Sequence, residues 1–215
     1  DIFFFLYIEN SKESIKKKDS LLKTKEALCN LDLYQVGEVI YQLCKLKCNV
    51  VPSQQIMHLI QNIEYILKAK PDEFENIISI IKQNNIDNNR LKKAFVGGKN
   101  KGENFGYTKF SSKGTTTYNA YDLAQKLKRN VCPYCNRNYT FTIRNKSSKS
   151  TRPDFDHFLA KEKYPYFAMS FYNLIPSCQV CNRTLKLRKE FSLTSHLHPY
   201  KDDFNSIKKF TTTKP

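Results

Sequence analysis

Two cysteine pairs set the framework of this sequence: Cys132-Pro-Tyr-Cys135 and Cys178-Gln-Val-Cys181. They are separated by the 42 residues 136–177, and each pair offers two thiolates from one tight turn. Four thiolates complete the tetrahedral shell of a zinc ion, which then cross-links two distant turns. We therefore predict a structural Zn²⁺ site with no open position for catalysis.

Polar residues suited to hydrolytic chemistry lie around the second pair. Asp156 and His157 are adjacent within the predicted strand Phe155–Leu159, Asn173 precedes the pair, and Asn182 follows it directly. Neighbouring strand residues point to opposite faces of a sheet. A regular strand would therefore keep Asp156 and His157 out of one pocket, and a distorted strand would bring them together. Taken alone, this dipeptide also fits an ordinary structural role.

The constellation from Val131 to about Lys189 resembles the HNH endonuclease motif, also called the ββα-metal or His-Me finger. In that family a two-stranded hairpin and a following helix hold one divalent ion. The resemblance implies a zinc-stapled ββα-metal nuclease domain; together with the mainly helical N-terminal region that apolar spacing predicts before it, the expected fold class is α+β. The resemblance also implies Mg²⁺ or Mn²⁺ as the catalytic cofactor, and hydrolysis of phosphodiester bonds that leaves a 5′-phosphate.

The resemblance assigns a role to each polar residue by its position. His157 resembles the general base that activates water, and Asp156 resembles a metal ligand. Asn173 resembles the middle asparagine, which orients the histidine or its loop through backbone contacts. Asn182 falls where the family has its second metal ligand. Lys186 resembles the basic residue available to a phosphate, although it follows Asn182 by one residue more than in the commoner form of the motif.

A narrower resemblance concerns the flanking residues Asp156-His-Phe-Leu-Ala-Lys161 and Asn173-Leu-Ile-Pro-Ser-Cys178. They are similar to the PtuB-like HNH nucleases of Septu systems in bacterial anti-phage defence. In those systems the nuclease acts with an ABC- or SMC-like ATPase. The resemblance therefore implies a nuclease effector with a protein partner of that kind.

The net charge of +16 is concentrated in the C-terminal part of the chain. Residues 1–95 hold 14 basic and 12 acidic residues, whereas residues 96–215 hold 22 and 8. Such a positive field suits a polyanion, above all nucleic acid. We expect DNA as the partner, with RNA left open, and expect these residues to contact it: Arg152, Lys161, Arg183 and Lys186.

The chain divides into three predicted regions. Residues 1–95 form the first region, in which apolar residues at helical spacing from about position 12 predict three to five packed helices. Our hypothesis is that this region serves to dock a partner or to restrain the nuclease. Residues 96–130 are predicted to form a basic linker and a short helix at about Ala120–Arg129. Residues 131–215 form the predicted nuclease domain, with a strand at Tyr139–Ile143 and a C-terminal extension that wraps back over it.

The seven cysteines are an odd number, and four of them form the two pairs, which argues against a secreted disulfide scaffold. No run reaches the roughly 18 apolar residues of a membrane helix. We therefore expect a cytoplasmic protein with no membrane partner. His198, in His196-Leu-His198-Pro-Tyr, is either a reserve metal ligand or a structural residue.

Other functions explain less of the sequence. A non-catalytic zinc module that binds nucleic acid accounts for the cysteines and the charge. It does not explain why four polar residues have the spacing of the nuclease motif: Asp156, His157, Asn173 and Asn182. A zinc deaminase needs a His-x-Glu motif and an open zinc position, and this sequence has no His-x-Glu. The zinc-binding module therefore remains the alternative to the nuclease.

Overall fold

A computed structural model describes residues 59, 61–98, 106–112, 118–145 and 150–202. These residues form an α+β fold of helices and a two-stranded sheet. The helices are α1 (Ile63–Lys68), α2 (Phe74–Gln83), α3 (Asn88–Phe95), α4 (Gly106–Ser111) and α5 (Ala120–Leu127). The strands β1 (Asp154–His157) and β2 (Leu174–Ser177) are followed by a π-helix, Val180–Lys186. Short 3-10 turns lie at Pro71–Glu73, Pro165–Phe167 and Phe171–Asn173.

The helices begin and end where local chemistry favours it. In α2 the buried residues Phe74, Ile77, Ile78 and Ile81 recur at steps of three and four, which places them on one face. The Asp87 side chain caps α3 by accepting hydrogen bonds from the backbone of the first turn. Asn119 caps α5 in the same way, so the predicted short helix is confirmed at Ala120–Leu127.

The predicted linker contains a helix, so that prediction was too simple. Gly106 opens α4 with φ +54°, and a Cβ there would lie 2.4 Å from the carbonyl oxygen of Phe95. Only glycine permits both this backbone conformation and so close an approach. Phe110 in the same helix is buried in the core, so α4 is packed against α3 as part of the fold.

The strand predicted at Tyr139–Ile143 is wrong. This segment makes only isolated bridges, from Val131 to Tyr139 and from Ile143 to Thr151. The strand predicted at Phe155–Leu159 is present as β1, and its antiparallel partner is β2, with His157 opposite Leu174. Two 3-10 turns, Pro165–Phe167 and Phe171–Asn173, lie between the two strands.

One apolar core joins the helices to the sheet. Buried side chains from Leu59 through Ile175 belong to a single cluster, in which the Phe74 and Phe167 rings lie 4.6 Å apart. Tyr200 donates a hydrogen bond of 3.2 Å to the carbonyl of Leu174, so the described part of the C-terminal extension packs back as predicted. The predicted domain boundaries stay predictions.

Several predictions fall outside the described residues. They concern the helices before residue 59 and the chain beyond residue 202. Among the residues that are described, none of the helices has the length and apolar character needed to cross a bilayer.

Candidate functional site

The two cysteine pairs meet in space. The Sγ atoms of Cys132, Cys135, Cys178 and Cys181 all lie within 4.8 Å of one another. Thiolates about 2.3 Å from one zinc ion lie somewhat under 4 Å apart, so small side-chain shifts would close the shell. The four cysteines therefore form a cluster that could bind a metal such as zinc, in agreement with the predicted ligand set.

Local hydrogen bonds shape both cysteine turns. The backbone N–H of Asn136 donates to the carbonyl of Cys132 over 2.8 Å, and Asn136 has a positive φ of 48° that closes the turn. The Asn138 amide donates to the Cys178 sulfur over 3.3 Å. Burial acts to raise the pKa of Cys178, but hydrogen bonds, that from Asn138 foremost, outweigh it and lower the pKa to about 7. The thiolate, which is the form that binds metal, is favoured there.

The segment after the second cysteine pair is a π-helix. Its wider turn takes in one more residue than an α-helical turn. This accommodates the extra residue between Asn182 and Lys186. Both side chains consequently face β1, where Asn182 contacts Asp154 and Lys186 contacts Asp156.

The His157 imidazole is buried and oriented. Its Nε2 lies 3.0 Å from the carbonyl oxygen of Ala168, and since a carbonyl can only accept, Nε2 carries the proton. Nδ1 is therefore the basic nitrogen of the neutral ring. The Tyr107 ring contacts the imidazole edge-on at 4.3 Å between centroids. Burial, with a further contribution from the charge of Lys161, lowers the pKa of His157 to about 3, so the ring is neutral at pH 7.

Asn173 fixes the loop that follows the histidine. Its buried side chain accepts from the backbone N–H of Leu159 over 2.7 Å and donates to the Leu159 carbonyl over 3.1 Å. A second donation, also of 3.1 Å, reaches the Phe167 carbonyl. The contacts are those that the resemblance implies for the middle asparagine, and its part in catalysis stays a prediction.

Asp156 is a buried carboxylate with one oxygen engaged. Its Oδ2 accepts hydrogen bonds of 2.6 Å from the Tyr134 hydroxyl and 2.6 Å from the Lys186 ammonium. Among the described residues, its Oδ1 has no hydrogen-bond partner, and Asp156 lines a cavity. One oxygen is thus held by the protein while the other is available to a ligand.

Asn182 is held by an acidic residue that the sequence analysis missed. Its Nδ2 donates to Asp154 over 3.2 Å, and Arg183 makes a two-pronged ion pair with the same carboxylate at 2.6 and 2.8 Å. With its N–H side engaged, the amide has its Oδ1 as the other end, which has no hydrogen-bond partner in the described part of the chain. The period of two along a strand could have identified Asp154, which shares a face with Asp156.

A cavity of about 730 Å³ joins these groups. Asp156, His157 and Asn182 line it, although adjacent strand residues point to opposite faces. β1 keeps its regular pairing with β2. Asp156 and His157 can both line the cavity because the π-helix and α4 form further parts of its wall. Seven cationic and four acidic side chains line the cavity, which gives it a positive balance. Asn173 lies in the core behind it.

The four predicted substrate contacts all line the cavity but differ in availability. Lys186 is 5% exposed and donates to Asp156 and to backbone carbonyls, so the structure gives it internal partners in place of the predicted phosphate. Arg152 likewise donates to the carbonyls of Pro153 and Ser111. Arg183 and Lys161 have more solvent-exposed side chains, at 64% and 30%.

His198 lies away from this cavity. It is fully buried, with its ring 4.3 Å from that of Phe158 and 6.0 Å from that of Phe74. Its Nδ1 accepts from the backbone N–H of Tyr200 over 3.2 Å. The structural role, and not that of a reserve metal ligand, fits this position.

No protein-family model matches this chain, and neither does any curated protein or solved structure.

Proposed function

We propose that this protein is a metal-dependent HNH endonuclease that hydrolyses phosphodiester bonds of DNA. The observation that carries the proposal is the oriented, neutral His157, which lines one cavity with Asp156 and Asn182. The order of an antiparallel strand pair and a following helix is the order that the resemblance implies. The positive balance of the cavity further supports a phosphate-bearing substrate.

The donor set suits a hard divalent cation. Asp156 and Asn182 each offer one oxygen while the other end of the side chain is hydrogen-bonded within the protein. Oxygen ligands with such outer partners are typical of Mg²⁺ and Mn²⁺ sites. A cation held by these two residues would neutralise charge on the scissile phosphate and on the departing oxygen.

The chain's own residues then carry the proton transfer. Nδ1 of His157 takes a proton from a water molecule as the water oxygen attacks phosphorus, and the phosphorus bond to the leaving 3′ oxygen breaks. The imidazole gains a positive charge, and its Nε2–H still donates to the Ala168 carbonyl, which stabilises the charged ring. The leaving oxygen takes a proton from solvent.

Other parts of the chain support the nuclease in this proposal. The cysteine cluster binds structural zinc, and exposed cations such as Arg183 contact phosphates without reading sequence. The finer assignment, a cytoplasmic effector of anti-phage defence with an ATPase partner, rests on the sequence resemblance alone.

Supercoiled-plasmid cleavage tests the proposal. We expect wild-type protein to nick DNA with Mg²⁺ or Mn²⁺ and to lose this activity with a chelator. His157→Ala should abolish nicking while DNA binding and folding are kept, because Nδ1 is the base. His196→Ala is the matched control, since His196 stacks on Phe191 outside the cavity lining.

Two outcomes contradict the proposal. Equal nicking by wild type and His157→Ala would remove His157 from catalysis. Binding without nicking by wild type, with the ATPase partner added, would favour the non-catalytic zinc-binding module.

A further inference from the structure

Among the residues that the structure describes, the two hydrogen-bond donors to Asp156 both belong to the segments that carry the cysteines. Tyr134 lies inside the turn from Cys132 to Cys135, and its hydroxyl donates to Asp156 Oδ2 over 2.6 Å. Lys186 ends the π-helix that begins beside Cys181, and its ammonium donates to the same oxygen over 2.6 Å. Each of the two segments that carry the cysteines therefore contacts Asp156 through one side chain, Tyr134 in the first and Lys186 in the second.

We propose that the four-cysteine site positions the cation-binding carboxylate through Tyr134, with Lys186 as the second support. The metal cluster would then do more than stabilise the fold, because its turn holds Asp156 in the orientation that binds the divalent ion. This inference rests on the proposed function, since it concerns the cation site of that nuclease.

Tyr134 is built into the wall between the two sites. Its ring packs against the cysteine cluster and also against the apolar core, and it meets the Phe191 ring edge-on at 6.0 Å. An unperturbed phenol has a pKa of about 10. The hydroxyl therefore stays protonated and remains a donor. A ring fixed on both sides transmits the position of the cysteine turn to the carboxylate.

Lys186 is equally constrained. It is buried, donates to the carbonyls of His157 and Phe158, and lies 4.5 Å above the Phe191 ring. Its ammonium thus links the π-helix to the backbone carbonyls of His157 and Phe158. Asp156 Oδ2 is held from two directions, while among the described residues Oδ1 has no hydrogen-bond partner and Asp156 lines the cavity.

Outer hydrogen bonds of this kind set cation affinity. Removing a partner of a ligating side chain typically costs 10–100-fold in metal affinity. Tyr134→Phe keeps the ring and removes only the hydroxyl. We therefore expect Mn²⁺ affinity to fall by roughly tenfold or more, with one zinc per chain retained and little change in melting temperature.

Mn²⁺ titration followed by electron paramagnetic resonance, on zinc-loaded full-length protein, measures this directly. Asp156→Asn should abolish Mn²⁺ binding and so locate the ion. A Tyr134→Phe protein that keeps one zinc per chain and the wild-type melting temperature while its Mn²⁺ affinity falls would separate positioning from a merely structural role, because loss of structure would lower all three. Tyr139→Phe, at a tyrosine 71% exposed near the same turn, is the matched control and should bind Mn²⁺ like wild type.

The outcomes separate this inference from the proposed function. Wild-type Mn²⁺ affinity in Tyr134→Phe, together with nicking that depends on His157, would overturn the inference and leave the nuclease standing. An equal loss in Tyr139→Phe would also overturn it, because the effect would then be general. Absence of both Mn²⁺ binding and nicking in wild type would overturn the two proposals together.

Discussion

Asn173→Asp should destabilise the protein in a strongly pH-dependent way. Asn173 is fully buried, and its Nδ2 donates to two carbonyl oxygens. An aspartate there would place a carboxylate against those two acceptors. Burial raises the pKa of such a carboxyl by about 3 units or more, so the folded variant takes up a proton that the unfolded chain, with a pKa near 3.9, has released at pH 7.

The magnitude follows from linkage. The carboxyl introduced at position 173 has a higher pKa in the folded variant than in the unfolded chain. Its ionisation therefore does not oppose folding below the unfolded pKa, and the variant loses stability as pH rises from the unfolded pKa to the folded pKa. A shift of about 3 units costs about 4 kcal/mol at pH 8, and the lost second donation adds about 1 kcal/mol. The deficit against wild type should therefore fall from about 5 kcal/mol at pH 8 to about 3 kcal/mol at pH 5.5.

Urea unfolding followed by circular dichroism, on both proteins in parallel from pH 5.5 to 8, measures this difference. The titrations of other residues cancel because they are common to both proteins. Asn89→Asp adds a carboxylate at an exposed position of α3 and should show a small, nearly flat difference. A deficit in Asn173→Asp that does not change with pH would refute the assigned hydrogen bonds.

Three further predictions concern other parts of the fold. Cys178→Ser removes a ligand of the cysteine cluster, so metal analysis should find well under one zinc per chain, and the melting temperature should fall. Gly106→Ala forces a side chain into a left-handed backbone position 2.4 Å from a carbonyl oxygen, and denaturant unfolding should show a loss of at least about 2 kcal/mol. The buried His198 has a pKa lowered to about 4 by burial, so it favours the folded state above pH 6.5 and loses that contribution as pH falls. Between pH 6.5 and 5, wild type should therefore lose about 2 kcal/mol more stability than His198→Gln.

The sequence predicts well what depends on short spacing. The two cysteine turns, β1 and α5 each depend on residues within a few positions, such as the Asn119 cap of α5. The strand predicted at Tyr139–Ile143 is wrong because alternation along one segment does not supply a partner strand, and this segment makes only isolated bridges. Here Thr140 is buried and donates to the Arg129 carbonyl, whereas Tyr139 and Phe141 face solvent.

Several residues named from the sequence line one cavity, but the sequence did not predict their contacts. Lys186 was expected at a phosphate, yet the π-helix turns it onto Asp156, and no pattern of residue types predicts a π-helical turn. Tyr107 contacts His157 from a segment whose glycines and lysines indicated a linker. Such a contact depends on the tertiary packing of α4, which spacing along the chain does not encode.

The helices before the motif are part of the site. The Ala168 carbonyl determines which nitrogen of His157 carries the proton. The chain on either side of Ala168 is held by the preceding helices. Phe167 packs on Phe74, and Ser170 donates to the Ile66 carbonyl over 2.7 Å. Both anchors belong to the region before residue 95, which the sequence indicated as a docking or restraint element. Removing that region would expose the Phe167 side of the core and release the backbone that holds the imidazole. A loss of activity on such a deletion would therefore result from misorientation of His157 as much as from the loss of a partner. Point substitutions on the exposed faces of α2 and α3 are the sharper way to search for a docking surface.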